Sequence, residues 1–416
     1  MVSSDQTAAR RATATKVAHG MMREVNRSIV LDILREGHPV SRVELARRTR
    51  LSKPTVSSIV EDLVGAGLVR EVGTEPATHR TGRPPSLLVY NERAVAFAGI
   101  QFGVNTTHVA VADGLGTIIA TATTPAVHAD ADRSVRDAQK ALRQVITRSG
   151  VRREQLRAVG VAVPGLVDPQ TGACVIAPNL DWHDAPVQQR VESALGVPTV
   201  VANSTHAAAI AEARLRGEQH RVMVWVYAGS GVGSGIVLDG VLYTGAVGYA
   251  GELGHAPMIE NGVRCTCGNR GCLETVASTV AIVRSATEMI RSGGGGELRK
   301  HRRGLSADVV AQLAAQGDSY ALSVMRQAGD FLGRGIAYMA NVLSPSVVVL
   351  GGPLVMMSDA YVEAARESAA RHTLPAEAVR VETTALGPHA PLLGVLQLAT
   401  GLGTPSYRVV DQVLRS

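Results

Sequence analysis

The sequence lacks a long hydrophobic run and a hydrophobic leader. Its longest apolar stretch, Val347 to Met357, is interrupted by Gly351, Gly352 and Pro353, whereas a membrane-spanning helix needs about 20 consecutive apolar residues. The first 20 residues are polar and contain no apolar segment of the kind that a secretory signal peptide carries. These absences exclude a membrane-spanning helix and a signal peptide, and they predict a cytoplasmic location.

Cysteine is scarce, and three of the four cysteines are clustered. Cys265, Cys267 and Cys272 lie within eight residues, with His255 ten residues upstream of the first. In a chain with no export signal, this clustering favours metal ligation over disulfides. Three thiolates and one imidazole complete the tetrahedral shell of a structural zinc site, so these four residues are the predicted ligands; the alternative is that the cysteines are ordinary core residues. Cys174 lies far away, in a segment predicted to be a loop with a free thiol.

Positive charge is concentrated at one end of the chain. Residues 1–95 contain 15 Lys and Arg against 10 Asp and Glu, whereas the remaining 321 residues contain 27 against 26. At 416 residues, 45% of them hydrophobic, the chain is long enough for two or three globular domains. The asymmetry favours a nucleic-acid-binding head on an electrically neutral body, although a basic tail would give the same count.

The first quarter of the chain has the pattern of a helix-turn-helix. Residues 1–20 show no periodicity and are predicted to be a disordered tail. A helix is expected at residues 25–36, a short helix after a capping box formed by Ser41 and Glu44, and a third helix at 53–64 after the N-cap Ser52. The polar face of the third helix suits the major groove, where small hydroxyl side chains allow close approach. The predicted DNA contacts of this helix are Ser52, Lys53, Thr55, Ser57 and Ser58.

Two strands after the third helix are expected to form a wing. They are predicted at residues 68–72 and 86–90, and the loop between them contains Gly82-Arg83-Pro84. This extended, narrow loop suits an A·T-rich minor groove, so Arg80 and Arg83 are its predicted DNA contacts. Residues 21–90 are therefore predicted to be a winged helix-turn-helix DNA-binding domain; the alternative is a domain for oligomerisation or protein docking.

From residue 96 onward, short β-rich apolar runs alternate with helical patterns, which predicts an α/β body. Two halves open in a similar way, each with a strand, a glycine turn and a β-hairpin. Their sequences are AGIQFGVNTTHVAVADGLG and VYAGSGVGSGIVLDGVLYTG. The glycines at 229, 231 and 233 allow backbone N–H groups to converge on an anion such as phosphate, and a structural β-turn explains them equally well.

Several motifs together resemble the ROK family, named for repressors, open reading frames and kinases. They are the zinc block GELGH with CTCGNRGCLE, the glycine turn, VANSTHAAAIAE at 201–212, the Leu350-Gly351-Gly352 pair of glycines and, after the winged head, TGRPP. The resemblance extends from about Met21 to the C-terminus. It implies a two-lobed, actin-like sugar-kinase fold with a sugar cleft near the zinc loop at 255–272. It assigns the small lobe to residues 96–203 plus 390–416, and the large lobe to 204–389.

The resemblance also implies which residues contact a sugar. Carried over onto this sequence, they are Asn179, Asn203, Glu252, His255 and Glu274. Carboxylates and amides can bridge vicinal hydroxyls, and a buried site of this kind rejects analogues that lack the matching hydroxyl. Zinc would orient His255 and brace the loop bearing Glu252 and Glu274. Taken singly, each residue is also compatible with a surface carboxylate or a turn asparagine.

Two departures from the family's kinases argue against catalysis. The kinases have an Asn-Asp pair where this chain has Asn203-Ser204, and a serine cannot replace the aspartate as general base without help. Their first phosphate motif, D-x-G-G-T, is replaced by QFGVN, so Gln101 stands where an acidic residue would help to place the metal-nucleotide. Loss of a general base commonly costs about 10²–10⁴ in rate. The sequence therefore predicts a domain that binds sugar without phosphorylating it.

Three hypotheses follow for the whole chain. The first is a sugar-gated transcriptional regulator, predicted to be a repressor of carbohydrate genes, that binds double-stranded operator DNA as a homodimer or homotetramer and has no membrane partner. The second is an ATP-dependent sugar kinase that carries a DNA-binding head, and the missing aspartate argues against it. The third is a constitutive DNA-binding protein whose body only dimerises. The retained Asn203, Glu252 and Glu274 argue against the third.

Overall fold

The computed structural model describes residues 22–74, 86–217, 220–375 and 379–403. Within these ranges the protein has a small helical head and a larger body built on two five-stranded sheets. The predicted tail at residues 1–20 and the predicted wing contacts Arg80 and Arg83 lie outside the described residues. Among the helices in these ranges, none is both long and apolar enough to span a membrane.

The head is held together by one apolar core shared by three helices and a small sheet. Its elements are α1 (residues 22–35), β1 (Val40–Ser41), α2 (Arg42–Thr49), α3 (Lys53–Gly65), β2 (Val69–Thr74) and β3 (Ser86–Tyr90). Leu34, Leu45, Val56, Leu63 and Leu88 are fully buried in this core. The strand order is β1-β3-β2, so the β2–β3 hairpin follows α3 directly as a wing. The predicted winged helix-turn-helix is confirmed.

The N-terminus of α2 differs from the prediction in one detail. Ser41 accepts a hydrogen bond from the Glu44 backbone N–H at 3.4 Å, as expected of an N-cap. Among the described contacts, the reciprocal bond of a capping box is missing, because the Glu44 carboxylate accepts two hydrogen bonds from Arg47 at 2.6 and 2.8 Å. Half of the predicted capping box is therefore wrong, and the carboxylate neutralises a neighbouring arginine.

The first half of the body surrounds a mixed sheet. Its elements are β4 (Ala96–Phe102), β5 (Thr106–Asp113), β6 (Ile118–Pro125), α4 (Ala131–Ser149), β7 (Leu156–Val163), β8 (Leu166–Val167), β9 (Cys174–Ala177), β10 (Trp182–Ala185), α5 (Val187–Leu195) and β11 (Thr199–Asn203). The strand order β11-β7-β4-β5-β6 places parallel strands on one side of β4 and an antiparallel hairpin on the other. Strands β8 to β10 form a separate three-stranded sheet.

The second half repeats this arrangement. Its elements are α6 (Ser204–Arg216), β12 (Val222–Ala228), β13 (Val232–Leu238), β14 (Val241–Tyr243), α7 (Glu274–Ala277), α8 (Thr279–Arg291), α9 (Ala307–Ala315), α10 (Ser319–Leu343), β15 (Val347–Gly351), α11 (Pro353–Met357), α12 (Asp359–His372), β16 (Val381–Thr383) and α13 (Ala390–Gly403). The order β14-β13-β12-β15-β16 again puts the opening strand at the centre, with a hairpin on one side and parallel strands on the other. The prediction of two halves with similar openings is confirmed.

Short 3-10 turns connect some of these elements. They lie at Glu92–Ala94, Arg153–Gln155, Leu253–His255, Gly296–His301 and Gly387–His389.

Helices α6 and α13 join the two halves at close range. Ala207 of α6 and Val395 of α13 are buried in one cluster with Ala162 of β7. A Cβ atom at Gly394 would overlap the Ala207 carbonyl, and a Cβ atom at Gly160 would overlap the Val395 carbonyl. Only glycine fits at both crossings, so the first turn of α6 is held firmly against both halves.

Candidate functional site

The start of α3 has the geometry expected of a recognition helix. Ser52 caps the helix by accepting a hydrogen bond from the Thr55 N–H at 3.3 Å, and the two hydroxyls lie 2.7 Å apart. The helix buries Val56, Ile59, Val60 and Leu63, so its orientation on the head is fixed. Of the predicted DNA contacts, Ser52, Lys53 and Ser58 are exposed and Thr55 and Ser57 are half-buried. The structure thus brings all five to the exposed N-terminal end of one helix.

Most arginines of the head are paired with carboxylates. Arg42 contacts Glu71 at 2.8 Å. Arg47 contacts Glu44 at 2.6 Å, and Arg48 contacts Glu36 at 2.6 Å. Arg23, Arg27 and Arg35 likewise have carboxylate neighbours. Two exposed cations lie at the start of α3, Arg50 just before it and Lys53 as its first residue. In the described part of the chain, neither has a carboxylate within 4.0 Å.

Arg50 was not predicted as a DNA contact. It ends α2 in a left-handed conformation, with φ of 58°, and it lies in the turn between α2 and α3. The sequence offers one signal for it, since it is the last basic residue before the Ser52 cap. Together with Lys53, Arg50 places uncompensated positive charge at the N-terminal end of α3. The helix dipole is also positive at that end. In addition, the first turn of α3 contains no acidic residue.

The predicted zinc ligands come together. The ligand atoms of His255, Cys265, Cys267 and Cys272 all lie within 4.8 Å of one another. The Cys265 Sγ is 3.6 Å from the His255 Nδ1, and the Cys267 Sγ is 3.7 Å from the Cys272 Sγ. Bonds of about 2.3 Å to a tetrahedral zinc ion place neighbouring sulfurs about 3.8 Å apart, so these distances fit such a shell. The cluster can therefore hold a metal ion.

The metal cluster adjoins two of the predicted sugar contacts. The His255 Nδ1 faces Cys265, while its Nε2 lies 3.8 Å from the Glu252 carboxylate. Burial raises the pKa of Glu252; His255 opposes this shift and the nearby Glu274 carboxylate adds to it. Burial also raises the pKa of Glu274, against a hydrogen bond from Val232 and the charge of His255. Two half-buried carboxylates and one imidazole thus lie close together beside the metal cluster.

The glycine turn packs against one of these carboxylates, that of Glu274. A Cβ atom at Gly231 would collide with the Glu274 carboxylate, and the Asn179 side-chain amide nitrogen is 3.8 Å from the same point. The Val232 N–H donates to the Glu274 carboxylate at 3.2 Å. One backbone N–H of the turn therefore binds an anion that belongs to the chain itself. The requirement for glycine at 231 comes from the close approach of Glu274.

Asn203 begins α6 and has a structural role. Its side-chain oxygen accepts hydrogen bonds from the Thr205 and His206 N–H groups at 2.7 and 3.2 Å, and its amide donates to the Gly165 carbonyl at 2.8 Å. The next residue, Ser204, has a buried Oγ with no hydrogen-bond partner among the described residues. Asn203 therefore fixes the position of Ser204 at the start of α6.

The loop that carries Glu252 is held from two sides. The Ser234 hydroxyl donates to the Gly251 carbonyl at 2.7 Å, and the Ser234 N–H donates to the same carbonyl at 3.1 Å. On the other side, the His206 Nε2 lies 2.9 Å from the Ala250 carbonyl. Because a carbonyl only accepts, the His206 Nε2 carries a proton and is the donor in this hydrogen bond.

We expect acid to destabilise the protein in part through His206. Burial lowers the pKa of His206, although its bond to Ala250 opposes the shift. The unfolded state therefore binds more protons than the folded state below about pH 6.5, and the free energy of unfolding falls as the pH drops toward the folded-state pKa. The loss is about 1.4 kcal/mol for each unit by which the pKa is lowered.

The variant His206→Gln tests this expectation, because it keeps an N–H donor for Ala250 but cannot titrate. Thermal melts followed by circular dichroism between about pH 7 and 5.5 should show a smaller fall in Tm for the variant than for the parent protein. Equal falls in Tm would contradict the assignment. His108, whose pKa is also lowered by burial, is present in both proteins and does not affect the comparison.

Cys174 was predicted to lie in a loop, and that prediction is wrong. It begins β9 and is 0% exposed, packed in the core of the first half of the body. Burial raises the pKa of its thiol to about 12. The thiol is free, as predicted, but its protonated state and burial make it unreactive.

Comparison with known proteins shows which family has this architecture. The body matches the description of the ROK family over residues 97–401, about three quarters of the chain. The chain belongs to the ROK family. The head separately matches the description of the MarR family over residues 24–80. The predicted combination of a winged head with a two-lobed, sugar-kinase-like body is thereby confirmed.

Three individual relatives illustrate the match. The xylose repressor of Bacillus subtilis strain 168 is 28% identical over 383 residues, covering 90% of this chain and 94% of that protein. The crystal structure of a ROK family transcriptional regulator, described as a homolog of the E. coli MLC protein, has a TM-score of 0.78 at 25% identity and covers 95% of this chain and 100% of its own. A ROK family glucokinase from Streptomyces griseus, in complex with glucose and AMPPNP, has a TM-score of 0.64 at 28% identity and covers 73% of this chain and 99% of its own. The regulator therefore matches the head and the body together.

Proposed function

We propose that the chain is a cytoplasmic DNA-binding repressor of carbohydrate genes whose affinity for its operator is controlled by a sugar bound in the body. The observation that carries the proposal is the position of the uncompensated cations Arg50 and Lys53 at the start of α3, on the same chain as the half-buried Glu252 and Glu274 pair. The first feature suits a phosphate backbone and the second suits sugar hydroxyls. Full-length similarity to named transcriptional regulators supports the same conclusion.

In this proposal α3 enters the major groove. Its hydroxyl side chains contact phosphates and base edges, and they are those of Ser52, Thr55, Ser57 and Ser58. The charges of Lys53 and Arg50 neutralise phosphates. Arg80 and Arg83 of the wing loop remain proposed contacts to the minor groove. A homodimer or homotetramer would present paired heads to two operator half-sites about one helical turn apart.

The first test of the proposal is sequence preference. The full chain is titrated with fluorescent duplexes from its own upstream region and with random duplexes of equal length, and binding is followed by anisotropy. We expect nanomolar affinity for one upstream duplex, weaker by about 10³-fold or more for random DNA at the same salt concentration. Equal affinity for both would overturn the assignment of the head.

The charge distribution of the head gives a sharper prediction. Arg50→Gln and Lys53→Gln should each weaken operator binding and reduce the slope of log affinity against log salt by about 0.9, the contribution of one phosphate contact. The matched control is Arg47→Gln, because Arg47 is already paired with Glu44 at 2.6 Å. Its slope should stay closer to that of the parent protein. A control slope that falls as much as that of Arg50→Gln would contradict the interpretation.

We further propose that the sugar binds among Glu252, Glu274, His255, Asn179 and Asn203. The two carboxylates accept hydrogen bonds from sugar hydroxyls, and Asn179 lies beside Glu274, where it can donate or accept. The Asn203 side chain already caps α6, so its contribution is one remaining amide N–H. Every polar group in such a site needs a partner, so a sugar lacking one matched hydroxyl should bind far more weakly.

Zinc is the metal that the cluster fits best. Three sulfurs and one imidazole nitrogen match its ligand preference, and a full set of four protein ligands is typical of a structural site. When bound, zinc would supply no reaction chemistry and would fix the loop at residues 255–272. The chain's own residues would then do the rest: the ring of His255 is held by its Nδ1, so that its Nε2 faces Glu252.

The body is proposed to bind sugar without transferring phosphate. Ser204 occupies the position of the kinases' general base, and its Oγ has no basic partner among the described residues to activate it. The Gln101 side chain donates to the Pro388 carbonyl at 3.2 Å, so at the first phosphate motif an amide replaces a carboxylate. A coupled ADP-release assay across hexoses and pentoses tests this. Turnover that Glu252→Ala abolishes would establish the alternative, a sugar kinase that carries a DNA-binding head.

A further inference from the structure

A small cavity lies where the head meets the body. Its volume is about 230 Å³, and its walls come from both units. Leu31 and Arg35 belong to α1 and Tyr90 to β3, whereas Phe97 and Arg157 belong to the first sheet of the body. Gly403, at the end of α13, also lines the cavity, and a Cβ atom there would meet Phe97 and Arg157.

Two residues that line this cavity carry buried polar groups without partners. Tyr90 is 5% exposed, and its hydroxyl has no hydrogen-bond partner among the described residues; the same is true of the buried Arg35 Nε. The two side chains are neighbours, since the guanidinium carbon of Arg35 is 5.3 Å from the centroid of the Tyr90 ring. A buried donor without an acceptor is destabilising, so an acceptor that reaches these groups from the cavity would stabilise both.

The charge of the cavity is positive. Three arginines line it, Arg27, Arg35 and Arg157, against one carboxylate, Glu24, which is 4.0 Å from Arg27. Arg35 has only a long contact of 3.5 Å with Asp32, and Arg157 is exposed with no carboxylate within 4.0 Å in the described ranges. Arginine suits planar anions such as carboxylates, which it can bind through two parallel N–H groups.

The rest of the lining is apolar. Leu31, Leu68, Val95 and Phe97 form this part of the wall. A bare inorganic anion would leave these side chains without contacts, whereas a compact hydrocarbon group would cover them. A ligand that contacts both the arginines and the apolar wall of the cavity therefore carries a carboxylate on a small apolar body.

We propose that this cavity binds a small organic carboxylate. The carboxylate lies against Arg35 and the Tyr90 hydroxyl, and its apolar body packs on Leu31 and Phe97. Because the walls belong to α1 of the head and to the sheet of the body, an occupant contacts both units at once. The cavity contains none of the residues assigned to sugar or metal, so the site is separate from the proposed sugar site and does not depend on it.

The experiment uses three matched probes and the full chain without DNA. Isovalerate carries both an anion and an apolar body, acetate lacks the apolar body, and 3-methyl-1-butanol lacks the charge. Isothermal titration should show saturable binding of isovalerate, at least about tenfold tighter than that of acetate or the alcohol. Tyr90→Phe, which removes only the hydroxyl, should weaken isovalerate binding by about two- to tenfold. Tyr338→Phe, at an exposed tyrosine on α10, is the control and should bind as the parent protein does.

Three outcomes would overturn the proposal. If isovalerate does not bind, the cavity has no such ligand. If acetate binds as well as isovalerate, the apolar wall plays no part. If Tyr90→Phe binds as tightly as Tyr338→Phe, the ligand lies elsewhere. None of these results bears on DNA binding by α3, so they are distinguishable from a failure of the proposed function.

Discussion

Replacing Cys272 by serine should remove the bound metal and abolish the response of DNA binding to sugar. Cys272 is 0% exposed, and its Sγ is 3.7 Å from that of Cys267, so no outside group can take its place. Changes to residues that only support metal ligands cost about 10- to 100-fold in affinity, and loss of a ligand should cost more. Without the metal, the loop at residues 255–272 no longer holds the His255 ring toward Glu252. Metal content by mass spectrometry should fall from one zinc ion per chain to a small fraction.

The chain offers a matched control for this experiment. Cys174 is also 0% exposed but lies in the first half of the body, away from the cluster. Cys174→Ser makes the same chemical change in a buried position, so it should lower the Tm modestly while the zinc content and the sugar response stay unchanged. If Cys272→Ser retains zinc, or if both variants lose the sugar response equally, the metal does not support the sugar site.

Arg216→Leu should destabilise the body by about 3–5 kcal/mol, the usual cost of leaving a buried charge without its partner. Glu212 is 0% exposed, and its carboxylate contacts Arg216 at 2.7 Å and the Thr384 hydroxyl at 2.6 Å. Arg216 also contacts Glu382 at 2.6 Å and so ties α6 to β16. Urea denaturation of both proteins would measure the difference in the free energy of unfolding.

Two further variants distinguish a buried charge from a lost contact. Arg326→Leu breaks an exposed pair with Glu367 at 2.9 Å, and surface pairs of this kind are worth about 0–1 kcal/mol. The double variant Glu212→Leu with Arg216→Leu removes both charges together, so it should be more stable than Arg216→Leu alone. If the double variant is the less stable of the two, the cost comes from lost packing and not from the unpaired carboxylate.

Much of the architecture could be predicted from the sequence, because periodicity and capping are local properties. The third helix was expected at residues 53–64 and occurs as Lys53–Gly65, and the strand expected at 86–90 occurs as Ser86–Tyr90. The hairpin formed by β9 and β10 was missed, because both strands are only four residues long and β10 contains the polar residues His183 and Asp184. The burial of Cys174, which packs in the core of the first half of the body, depends on contacts with residues that are distant in the chain.

The site was predictable to different degrees for the same reason. Cys265, Cys267 and Cys272 were identified from spacing alone, since a metal cluster of three neighbouring cysteines is a local pattern. The convergence of Glu252 on Glu274 could be expected only from family resemblance. Two other features depend on which residues are neighbours in three dimensions. Glu274 occupies the glycine turn, and Arg47 pairs with a carboxylate whereas Arg50 does not. Periodicity and spacing contain no information about such pairs.

The central claim is that a sugar in the body controls DNA binding by the head. The most direct test measures the operator affinity of the parent chain and of Glu252→Gln by anisotropy, each with a panel of pentoses, hexoses and their phosphates. One sugar should weaken the operator affinity of the parent chain by about 5- to 150-fold, the usual range of allosteric coupling. Glu252→Gln should bind the operator equally well without sugar and should no longer respond to that sugar. If no sugar changes the affinity of the parent chain, or if Glu252→Gln responds as the parent does, the account of the body as a sugar sensor is wrong.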